Sequence, residues 1–473
     1  MSSPDFSPVT VIGGGIAGAT SAIALSRHGF PVTLIDEQPA AGGQIFRAPS
    51  PYARQTVRPN HEFSGGDALR QKLAASPVDV RFSTRVWGLS PTLTLDLIGP
   101  DGIDQLPPST VVVANGATER FLPFQGWTTP RLTGLAGASI LMRNGGTLPG
   151  QTVVVAGSGP LLFSVAHQVL ELGGKVAAIV DAGHRSDWLR LGAMLSLDPA
   201  RLTQATSWML RLRKAGIPIH HRAHISAAQE TETGLLLTVS EIDHPERRHV
   251  YAADAAAGGY GLKPSTLITR TAGVQHRHDP VGGYLEPVTD VAGRTSRSDL
   301  YVTGDAAGIR GMALARLRGL ITAQPIAQDR GVISPQTYET LTRAPLRQLR
   351  RLEAVSRRML PLMNAGSAIP AHLQDETIVC RCERVKAATL RSAVEAGAED
   401  LNQLKAWTRC GMGPCQGRMC EDSARGLLTA ACGNTPEEAG SFTARMPFFP
   451  LPLTAVTGTF AYSDIPLPKA APL

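Results

Sequence analysis

The first 379 residues of the chain contain no cysteine, and all six cysteines occur from Cys380 onward. A disulfide framework in the main body is therefore excluded, and so is a redox-active cysteine pair beside a nucleotide fold there. No apolar run is long enough to cross a bilayer, and residues 1–7 are not a secretion signal. We therefore expect a cytoplasmic protein that is not integral to a membrane.

The sequence also lacks a basic block with interleaved aromatic residues, although its formal net charge is +7. Nucleic-acid binding is therefore not predicted. The mild positive charge fits solubility, bound phosphate-rich cofactors or docking to an acidic partner. A length of 473 residues allows two or three domains with substantial cores.

Five of the six cysteines are concentrated between Cys380 and Cys420. The segment has a C-x-C pair at one end and three closely spaced cysteines, separated by glycine and proline, at the other. Predicted helices at 385–396 and 399–408 would return the chain to the first pair. Clustered thiolates indicate an iron–sulfur cluster. Structural zinc is an alternative, although common zinc modules use paired C-x-x-C, and inert buried thiols are another.

This segment resembles the [2Fe-2S] domain of bacterioferritin-associated ferredoxin, in which a C-x-C pair is followed after a similar gap by a second pair. The resemblance implies Cys380, Cys382, Cys415 and Cys420 as ligands. Cys410 is a possible substitute in the second pair, but the gap of 32 residues between Cys382 and Cys415 fits better without it. Cys432 lies outside the pattern.

The amino-terminal stretch has the order of a dinucleotide-binding βαβ unit: a strand at 9–12, a glycine-rich turn, a helix at 19–28 and a strand at 31–35. The three glycines allow a tight turn, close approach of a pyrophosphate, and packing of the helix on the strand. The helix N-terminus favours phosphate, and the acidic strand tip favours ribose hydroxyls. The cofactor-binding residues predicted here are Gly13, Gly15, Ile16, Ala17, Gly18, Asp36 and Glu37.

Two further motifs favour FAD as this dinucleotide. The double glycine within residues 40–47 recurs in flavoprotein disulfide reductases and is not needed by dehydrogenases that bind only NAD; it adds Gly43, Gln44 and Arg47. The strand at 110–117 resembles the "ATG" strand of the same proteins, with Asn115 replacing threonine. The strand ending in Gly304-Asp305 resembles the one whose aspartate, in glutathione-reductase-type proteins, accepts a hydrogen bond from a ribityl hydroxyl.

A second βαβ unit begins with a strand at 151–156 and a turn that contains Gly157 and Gly159, and its next strand is at 175–180. Leu162 occupies the third glycine position, which compromises close packing of the helix. The sequence leaves open whether a second nucleotide binds here or the unit is retained as scaffold. A predicted strand at 217–225 would place His220 and His224 on one face; ordinary strand histidines are favoured over a metal site.

The helix predicted at 340–359 is rich in arginine and has an apolar face. The default interpretation is that the arginines form a solvated polar face. The more specific alternative is that they dock to a partner subunit.

Together these segments resemble the α (large) subunits of multi-subunit amine-oxidising flavoenzymes: hydrogen cyanide synthase, octopine and nopaline oxidases, D-hydroxyproline dehydrogenase and heterotetrameric sarcosine oxidase. The most specific pieces are residues 42–47 and 409–420. The resemblance implies a hetero-oligomer with a β subunit of D-amino-acid-oxidase type and a separate small ferredoxin-like [2Fe-2S] γ subunit. It also implies FAD, a [2Fe-2S] cluster and, as in some members, FMN at a subunit interface.

The resulting prediction is an α/β, glutathione-reductase-like fold with two dinucleotide-binding domains and a small helical [2Fe-2S] domain. Its expected function is to relay electrons from a β subunit that oxidises the C–N bond of an amino acid or secondary amine. The alternatives are a stand-alone NAD(P)H-dependent reductase and a redox-inert scaffold. The predicted divisions are 1–145 (FAD domain), 146–260 (second nucleotide fold), 261–335 (return to the FAD domain), 336–376 (helix and linker), 377–435 (cluster domain) and 436–473 (proline-rich arm).

Overall fold

Two parallel sheets, each with the strand order of a dinucleotide-binding fold, form the main body of the computed structural model, which describes residues 4–57, 61–107, 109–195 and 199–455. Part of the predicted proline-rich arm, 456–473, lies outside these residues. No helix of the described chain combines the length and apolar character needed to span a membrane.

The first fold is built from the amino-terminal elements. They are β1 (Val9–Ile12), α1 (Ile16–Arg27), β2 (Val32–Ile35), α2 (Pro51–Thr56), α3 (His61–Ala74), β3 (Asp79–Arg81), β4 (Arg85–Leu89), β5 (Leu95–Gly99), β6 (Gly102–Leu106), β7 (Thr110–Val113) and β8 (Ala117–Glu119). Of these strands, β3 joins the main sheet, while β4, β5 and β6 form an antiparallel sheet of their own.

The second fold follows without a break. Its elements are β9 (Leu132–Gly134), α4 (Leu135–Gly145), β10 (Thr152–Ser158), α5 (Pro160–Glu171), β11 (Lys175–Asp181), α6 (Arg185–Leu195), α7 (Pro199–Lys214), β12 (Ile219–His221), β13 (Ala223–Glu230), β14 (Leu235–Glu241), β15 (Arg248–Ala253) and β16 (Ala255–Tyr260). Because β9 pairs with β16, the second sheet takes up residues that precede position 146.

The chain then returns to the first fold and continues to the cysteine segment. These elements are β17 (Leu262–Pro264), α8 (Leu267–Thr271), β18 (His276–Asp279), β19 (Tyr284–Pro287), β20 (Leu300–Val302), α9 (Met312–Asp329), α10 (Pro335–Arg357), α11 (Leu360–Met363), β21 (Ile378–Cys380), β22 (Val385–Lys386), α12 (Ala387–Glu395), α13 (Leu401–Thr408), α14 (Glu421–Cys432) and α15 (Pro436–Ala439). Short 3-10 turns lie at Gly304–Ala307, Ile369–His372 and Leu453–Ala455.

Both large sheets are parallel and buried, which explains their near-continuous apolar strands. The first has the order β20-β7-β1-β2-β3, and the second has the order β12-β11-β10-β16-β9. In each sheet the carboxyl ends of the central strands face the glycine-rich turn, where ligands of such folds bind.

The predicted strand at 217–225 is wrong as one element. It divides at Arg222, whose φ of 53° is left-handed, into β12 and β13. These strands belong to different sheets, so His220 and His224 do not share a strand face. His220 instead contacts the Tyr251 hydroxyl at 2.6 Å.

The cysteine domain forms a small core of its own around α12, α13 and α14. Val385 begins as a strand, so the first predicted helix starts at Ala387. Leu390, Leu401, Leu404 and Leu428 are fully buried in this core. Their burial fixes the ends of the helices that carry the cysteine loops.

Candidate functional site: a flavin-type cavity that ends at a cysteine cage

A cavity of about 670 Å³ borders the first glycine-rich turn. Its wall includes most of the FAD-binding residues predicted from the sequence, namely Gly13, Gly15, Ile16, Ala17, Asp36, Glu37, Gly43, Gln44, Gly304 and Asp305. Segments far apart in the chain therefore meet around one space. Gly18 and Arg47 do not line it, and the Arg47 guanidinium donates to Gln44 instead.

The glycines of the first turn are required by close backbone contacts. Gly13 has a φ of 108°, and a Cβ there would lie 2.4 Å from the Ala114 carbonyl oxygen. A Cβ on Gly18 would lie 1.9 Å from the Gly13 oxygen, so α1 is held directly against the turn. The Gly42 amide donates to the Gly14 carbonyl at 2.9 Å, which brings the double-glycine loop over the same turn.

Asp36 is buried at the tip of β2 and is oriented by backbone amides. Its carboxylate accepts hydrogen bonds from Gly14 at 2.5 Å and from Gln38 at 2.7 Å. Burial raises the pKa of Asp36, while these amides act in the opposite direction. Glu37, beside it, is exposed and pairs with Arg85 at 3.1 Å.

The second contribution to the cavity comes from the loop after β20. Gly304 has a φ of 67°, and a Cβ there would lie 2.6 Å from the Ala17 side chain. Asp305 accepts hydrogen bonds from the amides of Arg310 and Gly311 at 3.1 and 3.3 Å. Asn115 also lines the cavity, and among the described residues its buried Oδ1 has no hydrogen-bond partner, so an acceptor is available to a ligand. This cradle fits a dinucleotide.

Glu119 is a cavity residue that sequence reasoning missed. Its carboxylate accepts the Ala136 amide at 2.9 Å, at the N-terminus of α4. Burial raises its pKa to about 7. Only the tertiary structure brings β8 and α4 together, so no local signal marks this contact.

The cysteine domain also contributes to the cavity wall. Gln416 and Arg418, which lie between Cys415 and Cys420 in the sequence, line it, and so do Glu421 and Asp422 of α14. Gln416 and Arg418 belong to the cysteine motif, so the sequence motif could have marked them as site residues. The dinucleotide cradle and the cysteine loop therefore share one wall.

A buried ion network fixes α14 against the first fold. Asp422 contacts Lys263 at 2.6 Å and Arg120 at 3.6 Å, and Glu421 contacts Arg270 at 3.2 Å. Burial opposes ionisation of Asp422, but Lys263, Arg120 and Arg425 outweigh it and hold its pKa below the usual range. Because α14 begins directly after Cys420, this network sets where the cysteines lie relative to the cavity.

The structure collects five thiols at one end of the cysteine domain, and we call this group the cysteine cage: Cys380, Cys382, Cys410, Cys415 and Cys420. Cys380, Cys410 and Cys420 are buried, and their Sγ atoms all lie within 4.8 Å of one another. Cys382 is exposed and lies within hydrogen-bond reach of the half-exposed Cys415. Hydrogen bonds from Cys410 and Cys420, and from the amides of Gly411 and Glu383, lower the pKa of Cys380.

Cys380, Cys410 and Cys420 form one mutually adjacent group, and Cys382 and Cys415 form a second. A [2Fe-2S] cluster takes two thiolates on each iron. The buried group therefore holds one thiol more than the cluster needs. Cys432 lies apart, with its thiol 3.8 Å from the Ala398 carbonyl oxygen.

The second glycine-rich turn is covered by the chain itself. A Cβ on Gly159 would lie 3.0 Å from Met363 Cγ, and Ser158 donates to the Met363 carbonyl at 2.9 Å. At the tip of β11, Asp181 is fully buried and accepts from Trp188 at 2.6 Å and Gly183 at 2.9 Å. Neither Gly157 nor Gly159 lines the cavity that borders the first turn.

Residues 7–331 match the family model described as pyridine nucleotide-disulphide oxidoreductase. The chain belongs to this oxidoreductase family. Family membership indicates FAD as the dinucleotide, in agreement with the prediction from the glycine motifs. The cysteine region of this oxidoreductase, residues 374–459, matches the model described as sarcosine oxidase A3 domain.

Curated relatives match the oxidoreductase over nearly its whole length. An opine oxidase subunit from Rhizobium meliloti is 32% identical, covering 94% of this chain and 97% of that protein. Hydrogen cyanide synthase subunit HcnB of Pseudomonas aeruginosa is 31% identical, with the same coverage of both chains. These matches confirm the resemblance drawn from the motifs.

One solved structure shows that the whole architecture recurs. L-proline dehydrogenase from P. horikoshii superposes with a TM-score of 0.67 at 21% sequence identity, covering 96% of this chain and 79% of that one. The similarity confirms the predicted fold class for this oxidoreductase.

Proposed function

We propose that this chain is the electron-transfer subunit of a heteromeric flavin-dependent dehydrogenase or oxidase that acts on the C–N bond of an amino acid or secondary amine. The observation that carries the proposal is the shared wall: one cavity extends from the Gly13–Gly15 turn to Gln416 and Arg418 beside Cys415. The names of the relatives, subunits of opine oxidase and hydrogen cyanide synthase, supply the substrate class and the heteromeric assembly.

In this proposal FAD lies along the cavity, and Cys380, Cys382, Cys415 and Cys420 hold a [2Fe-2S] cluster. When bound, the two groups supply the conversion between two-electron and one-electron transfer. The chain's own residues position them: Asp36 and the glycine turn hold the nucleotide end, and the Lys263–Asp422 network fixes the cysteine loop at the other end. Substrate oxidation is assigned to a β subunit of D-amino-acid-oxidase type. Further expected parts are FMN at an interface and a small ferredoxin-like γ subunit.

The covered second turn argues against the alternative, a stand-alone NAD(P)H-dependent reductase. A pyrophosphate at this turn needs the space that Met363 occupies. We therefore propose that Gly157 and Gly159 serve as scaffold.

Anaerobic reduction tests the proposal. The chain, purified with its co-expressed partner subunits, should contain flavin and iron, and an amine substrate should bleach the flavin. NADH should not bleach it at a comparable rate in either the complex or the isolated chain. Rapid bleaching of the isolated chain by NADH would instead establish the reductase, and a flavin-free, iron-free chain would leave only a scaffold role.

A further inference from the structure

The cysteine cage has one solvent-facing end. Cys382 is exposed, whereas Cys380, Cys410 and Cys420 are buried. A Cβ on Gly413 would lie 2.2 Å from Cys382 Cβ, so the loop before Cys415 packs directly on the exposed cysteine. Any redox partner that approaches the cage from solvent meets it at Cys382.

Three exposed arginines lie on the loops that form this end; we call them the basic rim. They are Arg381, Arg384 and Arg409. A contact ties the rim to the cage, because Arg409 pairs at 2.9 Å with Glu383, the residue after Cys382. Within the described part of the chain, no carboxylate lies within 4.0 Å of Arg381 or Arg384.

Two rim residues adopt backbone conformations that are unfavourable for arginine. Arg384 and Arg409 have φ values of 54° and 64°, in the left-handed region that glycine adopts more readily. The large apolar side chain of Trp407, which neighbours the rim in sequence, is 54% exposed. Exposed tryptophan and arginine together are typical of protein interfaces.

We propose that the basic rim is the docking surface for an acidic electron-carrier protein, which exchanges electrons with the cage through Cys382. The inference rests on the proposed function, because it requires iron in the cage. One electron is exchanged per encounter, so the carrier is oxidised or reduced by one equivalent and no bond is made or broken. Guanidinium groups pair in bidentate fashion with carboxylates, and an anionic lipid surface would bring no redox group to Cys382.

The test uses a reduced, acidic, plant-type [2Fe-2S] ferredoxin as the probe. It is mixed anaerobically with the oxidised protein, and its reoxidation is followed by stopped flow at increasing NaCl. The second-order rate constant should fall steeply with salt, because rim charges steer the encounter. Arg381→Glu/Arg384→Glu should be slower by about fivefold or more at low salt, and the difference should disappear near 1 M salt, where the screening length is about 3 Å.

The matched control is Arg213→Glu/Lys214→Glu, which makes the same change in net charge at the exposed C-terminal end of α7 in the second fold. Its rate should stay within about twofold of the wild-type rate. Equal slowing of both variants, or of neither, would overturn the assignment of the rim. If the charge-reversal variant loses iron, Arg381→Gln/Arg384→Gln takes its place and should still be slower than the control.

Two further measurements distinguish a failure of this inference from a failure of the proposed function. Iron content and the visible spectrum are recorded first, and a wild-type chain without iron contradicts the proposed function itself. Sedimentation with phosphatidylglycerol vesicles forms the other arm. Rim-dependent binding to vesicles, with ferredoxin rates unchanged in the variants, would make the rim a membrane-facing surface and overturn the proposal.

Discussion

The Lys263 ammonium donates a hydrogen bond of 2.6 Å to the Asp422 carboxylate, across the boundary between the first fold and the cysteine domain. Both side chains are 13% exposed, and Arg120 lies 3.6 Å from the same carboxylate. The contact thereby joins β17, which carries Lys263 and follows the second fold in the chain, to the first turn of α14. The contact explains how an independently packed cysteine domain keeps a fixed position against the cavity.

Asp422→Asn should destabilise this junction strongly. Removing one charge of a buried pair leaves the others uncompensated and costs about 3–5 kcal/mol. The expected result is a lower midpoint of guanidinium unfolding, measured by circular dichroism, with faster loss of iron on dilution. Asp243→Asn is the control, because its pair with Arg222 is exposed and should cost less than about 1 kcal/mol. Equal midpoints for the two variants would contradict the structural role of Asp422.

Serine substitutions should separate the proposed ligands from the fifth thiol. Cys415→Ser should remove iron and leave flavin, because it takes away one ligand of the exposed pair. Cys410→Ser should retain iron, although its Sγ lies within 4.8 Å of those of Cys380 and Cys420. Iron and zinc are measured by mass spectrometry, with Cys432→Ser as the control. Iron loss in Cys410→Ser but not in Cys415→Ser would assign the ligand to Cys410.

Gly18→Ala should abolish flavin binding. The added methyl would lie 1.9 Å from the Gly13 carbonyl oxygen, so α1 must move away from the turn that receives the pyrophosphate. The measurement is the ratio of flavin to protein after purification. Gly192→Ala is a matched control inside α6, where no atom of the described residues lies within 4 Å of the new methyl. Full flavin content in Gly18→Ala would show that the turn tolerates the displacement.

Glu119→Gln should change how stability depends on pH in the flavin-free protein. Burial raises the pKa of Glu119 from 4.5 to about 7, so between these values the folded state keeps a proton that the unfolded state releases. The free energy of unfolding therefore falls as pH rises through this window, by about 3 kcal/mol at pH 7.

Urea unfolding at pH 5 and pH 7.5 tests this expectation. Glutamine does not titrate, so the variant should gain stability relative to the wild type as pH rises. Glu339→Gln, on the exposed face of α10, controls for the removal of any carboxylate. An unchanged difference between variant and wild type at the two pH values would contradict the assignment.

The sequence by itself determined the features of this protein that depend on contacts between near neighbours in the chain. Position 13 needs glycine because a carbonyl oxygen lies where a Cβ would be. The buried parallel strands were predictable from their runs of apolar residues. The spacing of Cys380, Cys382, Cys415 and Cys420 indicated that these cysteines form one metal site. The fold class, the family and FAD followed from these patterns, and the comparisons agree.

The tertiary structure decided what depends on contacts between distant segments. A left-handed residue at Arg222 divided a predicted strand and separated His220 from His224. Met363, more than 200 residues away along the chain, covers the glycine turn that the local motif left open to a nucleotide. The ion pair of Lys263 with Asp422 sets the distance between cavity and cysteines, because packing, rather than either sequence neighbourhood, brings those charges together.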